Sequence, residues 1–229
     1  SILILIVVIF LSYLSLVGIK TEKFNNQIEN KIKKINSDLF IDLKDIKIVL
    51  DIKNFKLNAK TINPKIKINN KVIEIENIKT RISLKSFIER KFSVENLEIS
   101  TKSLKIDNVI SFAKSLSNSP DLYILNKFVK DGFLIADLKF EFNSDGELTN
   151  NYSINGVVKD GKIDFSKKFN IKNFDFIFNF KNNNLIVRDM LLLFNDYKLS
   201  ADEIIIKKIE NEFFVRGKID QKTLTLDRN

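Results

Sequence analysis

The chain of 229 residues contains no cysteine and no histidine, and only six glycines and two prolines. Without cysteine it has no disulfide framework, no thiolate zinc site and no cysteine nucleophile. Without histidine it has no Ser-His-Asp triad, no imidazole metal ligand and no HExxH helix. The scattered glycines form neither a GxxxxGK[ST] loop nor a GxGxxG fingerprint. We therefore expect no enzyme activity, no cofactor and no metal.

Basic residues outnumber acidic ones, with 38 Lys and Arg against 29 Asp and Glu, and the formal net charge is +9. Such a balance fits a nucleic acid or an anionic membrane as partner. Only five of the basic residues are Arg, the side chain that leads base recognition and bidentate phosphate binding. Acidic residues also interrupt Lys139-Phe140 and Lys168-Phe169, the pairs that resemble a single-strand-binding surface. We expect no nucleic-acid partner.

The segment from Ser1 to Ile19 carries no charged side chain. As a helix it would span about 28 Å, close to the thickness of a bilayer's hydrocarbon core. A signal peptide has a shorter apolar region and a small-residue cleavage site, and the residues from Leu16 to Lys20 show no such site. The pattern predicts an uncleaved transmembrane anchor over residues 1–19, with the rest of the chain outside the cytoplasm.

A short amphipathic helix is predicted over residues 20–37. Phe24, Ile28, Ile32 and Ile35 recur at helical spacing, with lysines and glutamates between them. Such a helix either lies on the membrane surface with its lysines toward lipid head groups or covers the end of a β-structure. Both alternatives stay open.

From Leu39 onward apolar and polar residues alternate, which predicts antiparallel strands with one apolar and one polar face. We expect a first β-unit over residues 38–118, a helical insertion over 119–132 that closes or decorates it, and a second β-unit over 133–229 that continues beyond the chain's end. Pairs that accept a positive φ predict the hairpin turns, namely Asn69-Asn70, Asp145-Gly146, Asp160-Gly161, Asn182-Asn183-Asn184 and Asn195-Asp196.

Two runs of alternating apolar residues are the candidate binding surface. Because alternate side chains share a face, each run forms an apolar stripe. A sheet that is apolar on one face closes as a sandwich or barrel, or curls into a groove, and periodicity does not choose between these. In a groove the stripes would line an acyl-chain site, and in a sandwich they would be ordinary core. The stripes consist of Leu134, Ala136, Leu138, Phe140 and Phe142, and of Phe174, Phe176, Phe178 and Phe180.

The order of these segments resembles the start of the bacterial AsmA-like family, which includes TamB-type proteins. The resemblance is carried by the apolar segment, the amphipathic helix, and strands Ile66 to Ile68 and Ile73 to Ile78, which lead to Arg81 to Phe87 and Val94 to Ile99. The stretch from Tyr152 to Ile163 is similar to the family's recurring strand and turn unit.

The resemblance implies a mainly β protein. One transmembrane helix would precede an elongated antiparallel β-groove of the β-taco type, also found in eukaryotic chorein-type bridge proteins, with a few short helices. It further implies a single pass through the inner membrane, a periplasmic location for most of the chain, and transport of phospholipid acyl chains toward the outer membrane. Family members are longer, so the chain would be an N-terminal portion. The alternative is a periplasmic scaffold that assists outer-membrane protein assembly through a partner bound at a sheet edge.

Overall fold

The computed structural model describes residues 2–22, 25–84, 94–117, 119–143, 147–166, 169–210 and 212–221. Most of these residues lie in strands that pair antiparallel, which confirms the prediction of a mainly β protein with a few short helices. The chain divides into two compact units. Unit 1 is Ser1–Lys102 with Leu138–Tyr152, and unit 2 is Ser103–Asp137 with Ser153–Asn229. This division differs from the ranges 38–118 and 133–229 expected from the sequence.

The helices are α1 Ile2–Leu16, α2 Asn25–Ile35, α3 Ile106–Leu116 and α4 Pro120–Phe128. The strands are β1 Ile19–Thr21, β2 Leu39–Asp42, β3 Ile46–Asp51, β4 Lys56–Ile62, β5 Lys65–Ile68, β6 Lys71–Ser83, β7 Val94–Thr101, β8 Leu104–Lys105, β9 Val129–Phe142, β10 Leu148–Ser166, β11 Phe169–Lys181, β12 Asn184–Phe194, β13 Tyr197–Ile209, β14 Glu212–Gly217 and β15 Asp220–Gln221.

Helix α1 is shorter than the predicted anchor over residues 1–19. It ends at Leu16 because Gly18 takes a left-handed conformation with φ of 75° and donates its N–H to Tyr13 O. Ile19–Thr21 then pairs with Ile46–Ile48 as a strand. Among the described residues no helix is both long enough and apolar enough to cross a bilayer. The structure has a 15-residue helix where the span over residues 1–19 was expected, and Val17 and Gly18 connect this helix to β1.

The amphipathic helix predicted over residues 20–37 is α2, and it packs against β2. Asn25 donates its side-chain amide to Lys44 O at 2.8 Å, which ties the start of α2 to the loop before β3. Helix α2 therefore lies against β-structure, and its expected role of covering the end of a β-structure remains a prediction. Its proposed contact with lipid head groups remains a prediction.

The sheet of unit 1 has the strand order β1-β3-β4-β6-β7. Strand β6 pairs through its first residues with β5 and through its later residues with β4, and β5 also pairs with β2. The predicted alternation is confirmed in β6, where Ile73 and Ile75 are buried and Glu74 and Glu76 are exposed. Ion pairs from Lys65 at 3.0 Å and Lys102 at 3.3 Å reach Glu74 on that exposed face.

Three of the predicted hairpin turns are confirmed. Asn69, Asn182 and Asn195 each begin a two-residue connection between paired strands, with φ between 47° and 50°. Asparagine tolerates this left-handed conformation better than most residues, which is why the pattern could be read from the sequence. The turn expected at Asp145-Gly146 lies outside the described residues.

The turn predicted at Asp160-Gly161 is wrong, because both residues lie inside strand β10. Asp160 has φ of 53°, and the pairing of β10 with β11 shifts between Val158 and Gly161. The positive φ therefore belongs to a β-bulge rather than to a hairpin. Turns and bulges share this local conformation, so the dipeptide alone does not separate them.

The sheet of unit 2 has the strand order β9-β10-β11-β12-β13-β14. Strand β15 pairs with the start of β13, beyond the residues that pair with β14. Bulges occur at neighbouring heights in three successive strands, at Asp160 in β10, Asn173 in β11 and Asp189 in β12. Each of the three residues has a positive φ of 49° to 53°. We call this set the bulge line.

The helical insertion predicted over 119–132 is shorter in the structure. Helix α4 begins with Pro120 after the N-cap Ser119, as expected, but it ends at Phe128. Strand β9 begins at Val129, so Gly132 lies in a strand and does not end the helix. Gly132 is buried beside Gly161, where a side chain would meet the backbone of β10.

Candidate functional site

An aromatic ladder runs along one face of β11. The rings of Phe174 and Phe176 lie 4.6 Å apart between centroids, and those of Phe176 and Phe178 lie 6.0 Å apart. All three side chains are half-buried. They pack against a buried cluster from β12 and β13 made of Val187, Met190, Leu192 and Ala201.

The register of the strands extends this ladder sideways into continuous apolar rows. Phe180 is paired with Ile154 on one side and with Leu185 on the other, and Leu185 is paired in turn with Ile206. A second row runs through Gly156, Phe178, Val187 and Ile204. We call the surface that carries these rows the apolar face of unit 2.

The opposite face of the same strands is largely polar. Lys159 Nζ lies 2.9 Å from Asp175 Oδ2, and Arg188 Nε lies 3.0 Å from Glu203 Oε2. Asn179 donates its side-chain amide to the side-chain oxygen of Asn155. Some apolar side chains also lie on this face, such as Ile177, which is 46% exposed. This face is therefore more polar than the apolar face but not purely polar.

Gly156 allows the ladder to approach the neighbouring strand. A methyl group at this position would lie 2.6 Å from the ring of Phe178 and 2.7 Å from the carbonyl oxygen of Ile135. A glycine inside a strand is typical of such a close approach. The ring of Phe178 therefore lies directly over Gly156, in space that a larger side chain at position 156 would occupy.

The bulge line fixes the direction of the side chains on the apolar face. Val187 and Met190 both belong to the buried cluster, although residues separated by two others normally point to opposite faces of a strand. They share a face because the bulge at Asp189 adds one residue between them. Ile171 and Phe174 have the same relation across Asn173. The apolar face thus continues past the bulges, from Phe180 to Ile171 over about 30 Å at ~3.3 Å per residue.

The predicted site residues separate into two groups. Phe174, Phe176, Phe178 and Phe180 lie along β11 in unit 2, and the first three pack against its buried cluster. Ala136 and Leu134 of β9 also belong to unit 2, where Ala136 is buried at 5% exposure and Leu134 is half-buried. The other three residues of the first stripe belong to unit 1 and are half-buried there, namely Leu138, Phe140 and Phe142.

Sequence reasoning missed the contribution of β12 and β13 to the apolar face. The run from Met190 to Phe194 is continuously apolar and therefore shows no alternation. In the structure Met190 and Leu192 are buried, whereas Leu191 is 40% exposed. The apolar run was visible in the sequence. Which of its side chains point inward, however, depends on the bulge at Asp189.

The arrangement on the apolar face suits contact with a hydrocarbon chain. Its rows contain aromatic and aliphatic side chains with no hydrogen-bonding group to fix the orientation of a ligand. Each CH₂ group removed from water contributes roughly 0.8 kcal/mol to binding. Among the described residues no group of three or more acidic side chains is placed to hold a metal ion.

Comparison of the chain with family models, curated proteins and solved structures finds no match.

Proposed function

We propose that the chain carries phospholipid acyl chains along the apolar face of unit 2. In this proposal α1 attaches the protein to the inner membrane, most of the chain lies in the periplasm, and the lipid moves toward the outer membrane. The observation that carries the proposal is the continuity of the apolar rows around Phe174, Phe176 and Phe178. The likeness to AsmA-like proteins in the order of segments supports the same function.

The dimensions of the apolar face support this proposal. At about 30 Å it is as long as the hydrocarbon core of a whole bilayer, and an acyl chain of one leaflet needs roughly half of that. The three phenylalanines remain half-buried rather than fully enclosed, so part of each ring is available to a ligand. A smooth apolar wall lets a tail slide, because the described side chains of these rows offer no polar contact that would hold it.

The surface of α1 supports attachment to a membrane. Most of its described apolar side chains are exposed, from 37% at Leu11 to 83% at Leu16, whereas Leu14 is half-buried. Contiguous apolar surface of this kind is rare on soluble proteins and marks contact with lipid or with a partner. Insertion of α1 among acyl chains would remove this surface from water.

One observation favours the alternative of a periplasmic scaffold. Strand β14 ends the strand order of unit 2, and each of its six residues is exposed. Phe213, Phe214 and Val215 are 67%, 51% and 68% exposed. An exposed apolar edge strand is a template for strand addition, here by a strand of an outer-membrane protein.

Photocrosslinking from two positions separates the two functions. A photoreactive amino acid at Phe176 is expected to capture labelled phospholipid, whereas one at Phe214 would capture an outer-membrane β-barrel protein if the scaffold function holds. Lipid at position 176 supports the conduit. Protein adducts at 214 without lipid at 176 would favour the scaffold and overturn the conduit.

Phe176→Asp tests transport itself, with Ile177→Asp as the matched control on the opposite face of the same strand. If the apolar face is an open lipid path, water reaches the carboxylate, so Phe176→Asp abolishes lipid transfer between vesicles while circular dichroism shows a folded protein. Ile177→Asp leaves transfer unchanged. Global unfolding of Phe176→Asp alone would indicate a closed core with a buried unpaired charge and would contradict the proposal.

A further inference from the structure

Four lysines stand side by side on adjacent strands of unit 1. Lys20 of β1 is paired with Lys47 of β3, Lys47 with Lys60 of β4, and Lys60 with Lys79 of β6. Adjacent strands lie roughly 4.8 Å apart, so the four positions span about 14 Å. We call this set the lysine row.

No carboxylate within the lysine row neutralises its positive charge. All four side chains are exposed, and within the described part of the chain none of them forms an ion pair. Like charges directly opposite each other on neighbouring strands destabilise a sheet. The row ends at Glu98 of β7, whose carboxylate accepts a hydrogen bond from the side chain of Asn96.

On the side away from Glu22 and Asp45, the neighbouring surface adds to the positive charge of the lysine row. The next row on the same face contains Val49, Asn58 and Arg81, so it contributes a further cation and no carboxylate. A shallow depression of about 360 Å³ covers this surface, and Lys47, Lys60, Lys79, Arg81 and Glu98 are among the residues that line it. Phosphate groups fit such a surface because lysine presents a compact point charge to them.

The row begins next to the apolar helix. Lys20 follows the end of α1 at Leu16 after only three residues, and α1 contacts β3, the strand of Lys47. The side chain of Val49 and the backbone of Ile48 enclose Gly18 at the junction. The positive surface and the apolar helix are therefore held together by backbone pairing and not by a flexible linker.

We propose that the lysine row binds the anionic head groups of the bilayer into which α1 inserts. This inference rests on the membrane attachment in the proposed function and adds a selectivity for anionic phospholipid at a separate surface. The head-group phosphates would neutralise the repulsion between the four lysines. Unit 1 would then lie with this face of its sheet against the membrane surface.

Vesicle flotation of the full chain tests the proposal. Vesicles of phosphatidylcholine alone report the contribution of α1, and vesicles with 30% phosphatidylglycerol add the anionic head group. A lysine near an anionic surface is worth about fivefold in affinity, so Lys47→Gln, Lys60→Gln and Lys79→Gln together are expected to weaken the preference for anionic vesicles by about a hundredfold. Affinity for neutral vesicles stays the same.

A matched triple variant controls for net charge. Lys53→Gln, Lys198→Gln and Lys207→Gln remove three exposed lysines outside the row and are expected to reduce the preference much less. An equal reduction in the two variants would overturn the proposal, since it would indicate a general effect of charge. The row variant should also unfold at an equal or higher urea concentration than the parent, because like charges have been removed.

A local probe then reports where the membrane contact lies. Because the chain has no cysteine, Asn58→Cys offers a single thiol beside the row for a polarity-sensitive dye. The dye is expected to shift to the blue on anionic vesicles and to change little on neutral ones. Flotation with no preference for anionic vesicles would overturn the head-group site alone, whereas failure to float with any vesicle would also contradict membrane attachment by α1.

Discussion

Asp175 connects two adjacent strands of unit 2 at the bulge of β10. Its carboxylate accepts hydrogen bonds from Lys159 Nζ at 2.9 Å and from the backbone N–H of Asp160 at 2.8 Å. Partial burial raises the pKa of this carboxyl group, but the two hydrogen bonds outweigh burial, and the pKa lies below its ordinary value. The ionised form of Asp175 therefore stabilises the left-handed conformation of Asp160.

The lowered pKa of Asp175 predicts a loss of stability in acid. A carboxyl group whose pKa is lower in the folded state stabilises the fold above its unfolded pKa of about 3.9, and this contribution disappears as the pH falls through the folded pKa. We expect Asp175→Asn to lower the free energy of unfolding by roughly 1 kcal/mol at pH 7 and to change it little at pH 2.

Urea denaturation of both proteins at the two pH values measures this difference. Asp202→Asn, which changes an exposed carboxylate on β13, is the matched control and should leave the unfolding midpoint at pH 7 nearly unchanged. Equal destabilisation by Asp175→Asn at pH 7 and pH 2 would contradict an ionic origin of the effect.

Helices α3 and α4 differ in how far they contribute to the core of unit 2. Ile110 and Phe112 of α3 are buried at 7% and 8% exposure, whereas α4 has no buried side chain. Phe128 at the end of α4 contacts Phe165 at 5.4 Å between ring centroids. Helix α3 is therefore part of the packed structure, whereas α4 lies against α3 and Phe165 without burying a side chain of its own.

We expect Phe112→Ala to cost about 3 kcal/mol or more of stability, because it leaves a cavity in the core. Leu125→Ala in α4, where the side chain is 47% exposed, is expected to cost less than about 0.5 kcal/mol. Thermal unfolding of the two variants measures both costs. Similar losses for the two changes would show that α4 is packed as tightly as α3.

Elements set by short-range pattern were predictable from the sequence. The alternation of Ile73 and Ile75 with Glu74 and Glu76 fixes the two faces of β6, and Asn69-Asn70 fixes the turn before it. The apolar segment predicts a helix, but one glycine ends it early. Gly18 does so through its positive φ and its contact with β3, and that contact depends on distant residues.

Features that depend on pairing between distant strands were not predictable. Lys47 and Lys79 lie far apart in the chain and reach one row only through the register of β3, β4 and β6. The inward direction of Met190 likewise depends on the bulge at Asp189. In its local sequence, each of these positions looks like any other lysine or apolar residue of a strand.

For the whole molecule, the proposed location gives a direct prediction. A reporter that is active only in the periplasm, fused after Asn229 in a Gram-negative host, is expected to be active, because long domains after an apolar segment translocate largely regardless of flanking charge. The matched fusion lacks residues 1–17 and is expected to be inactive. Activity of a cytoplasmic reporter at the same position would contradict the periplasmic location.

The bulge line restricts insertions and deletions in the strands of unit 2. The pairing of β11 with β12 keeps one register on both sides of the bulges, because the extra residue near Asn173 is matched by one near Asp189. Deleting either residue alone slips one side of this pairing by one position and sets apolar residues opposite polar ones. Deleting both restores that pairing but moves the mismatch to β10 and β13. Insertions and deletions at this height are therefore tolerated only as coordinated sets across neighbouring strands, so these strands must change in length together as sequences diverge.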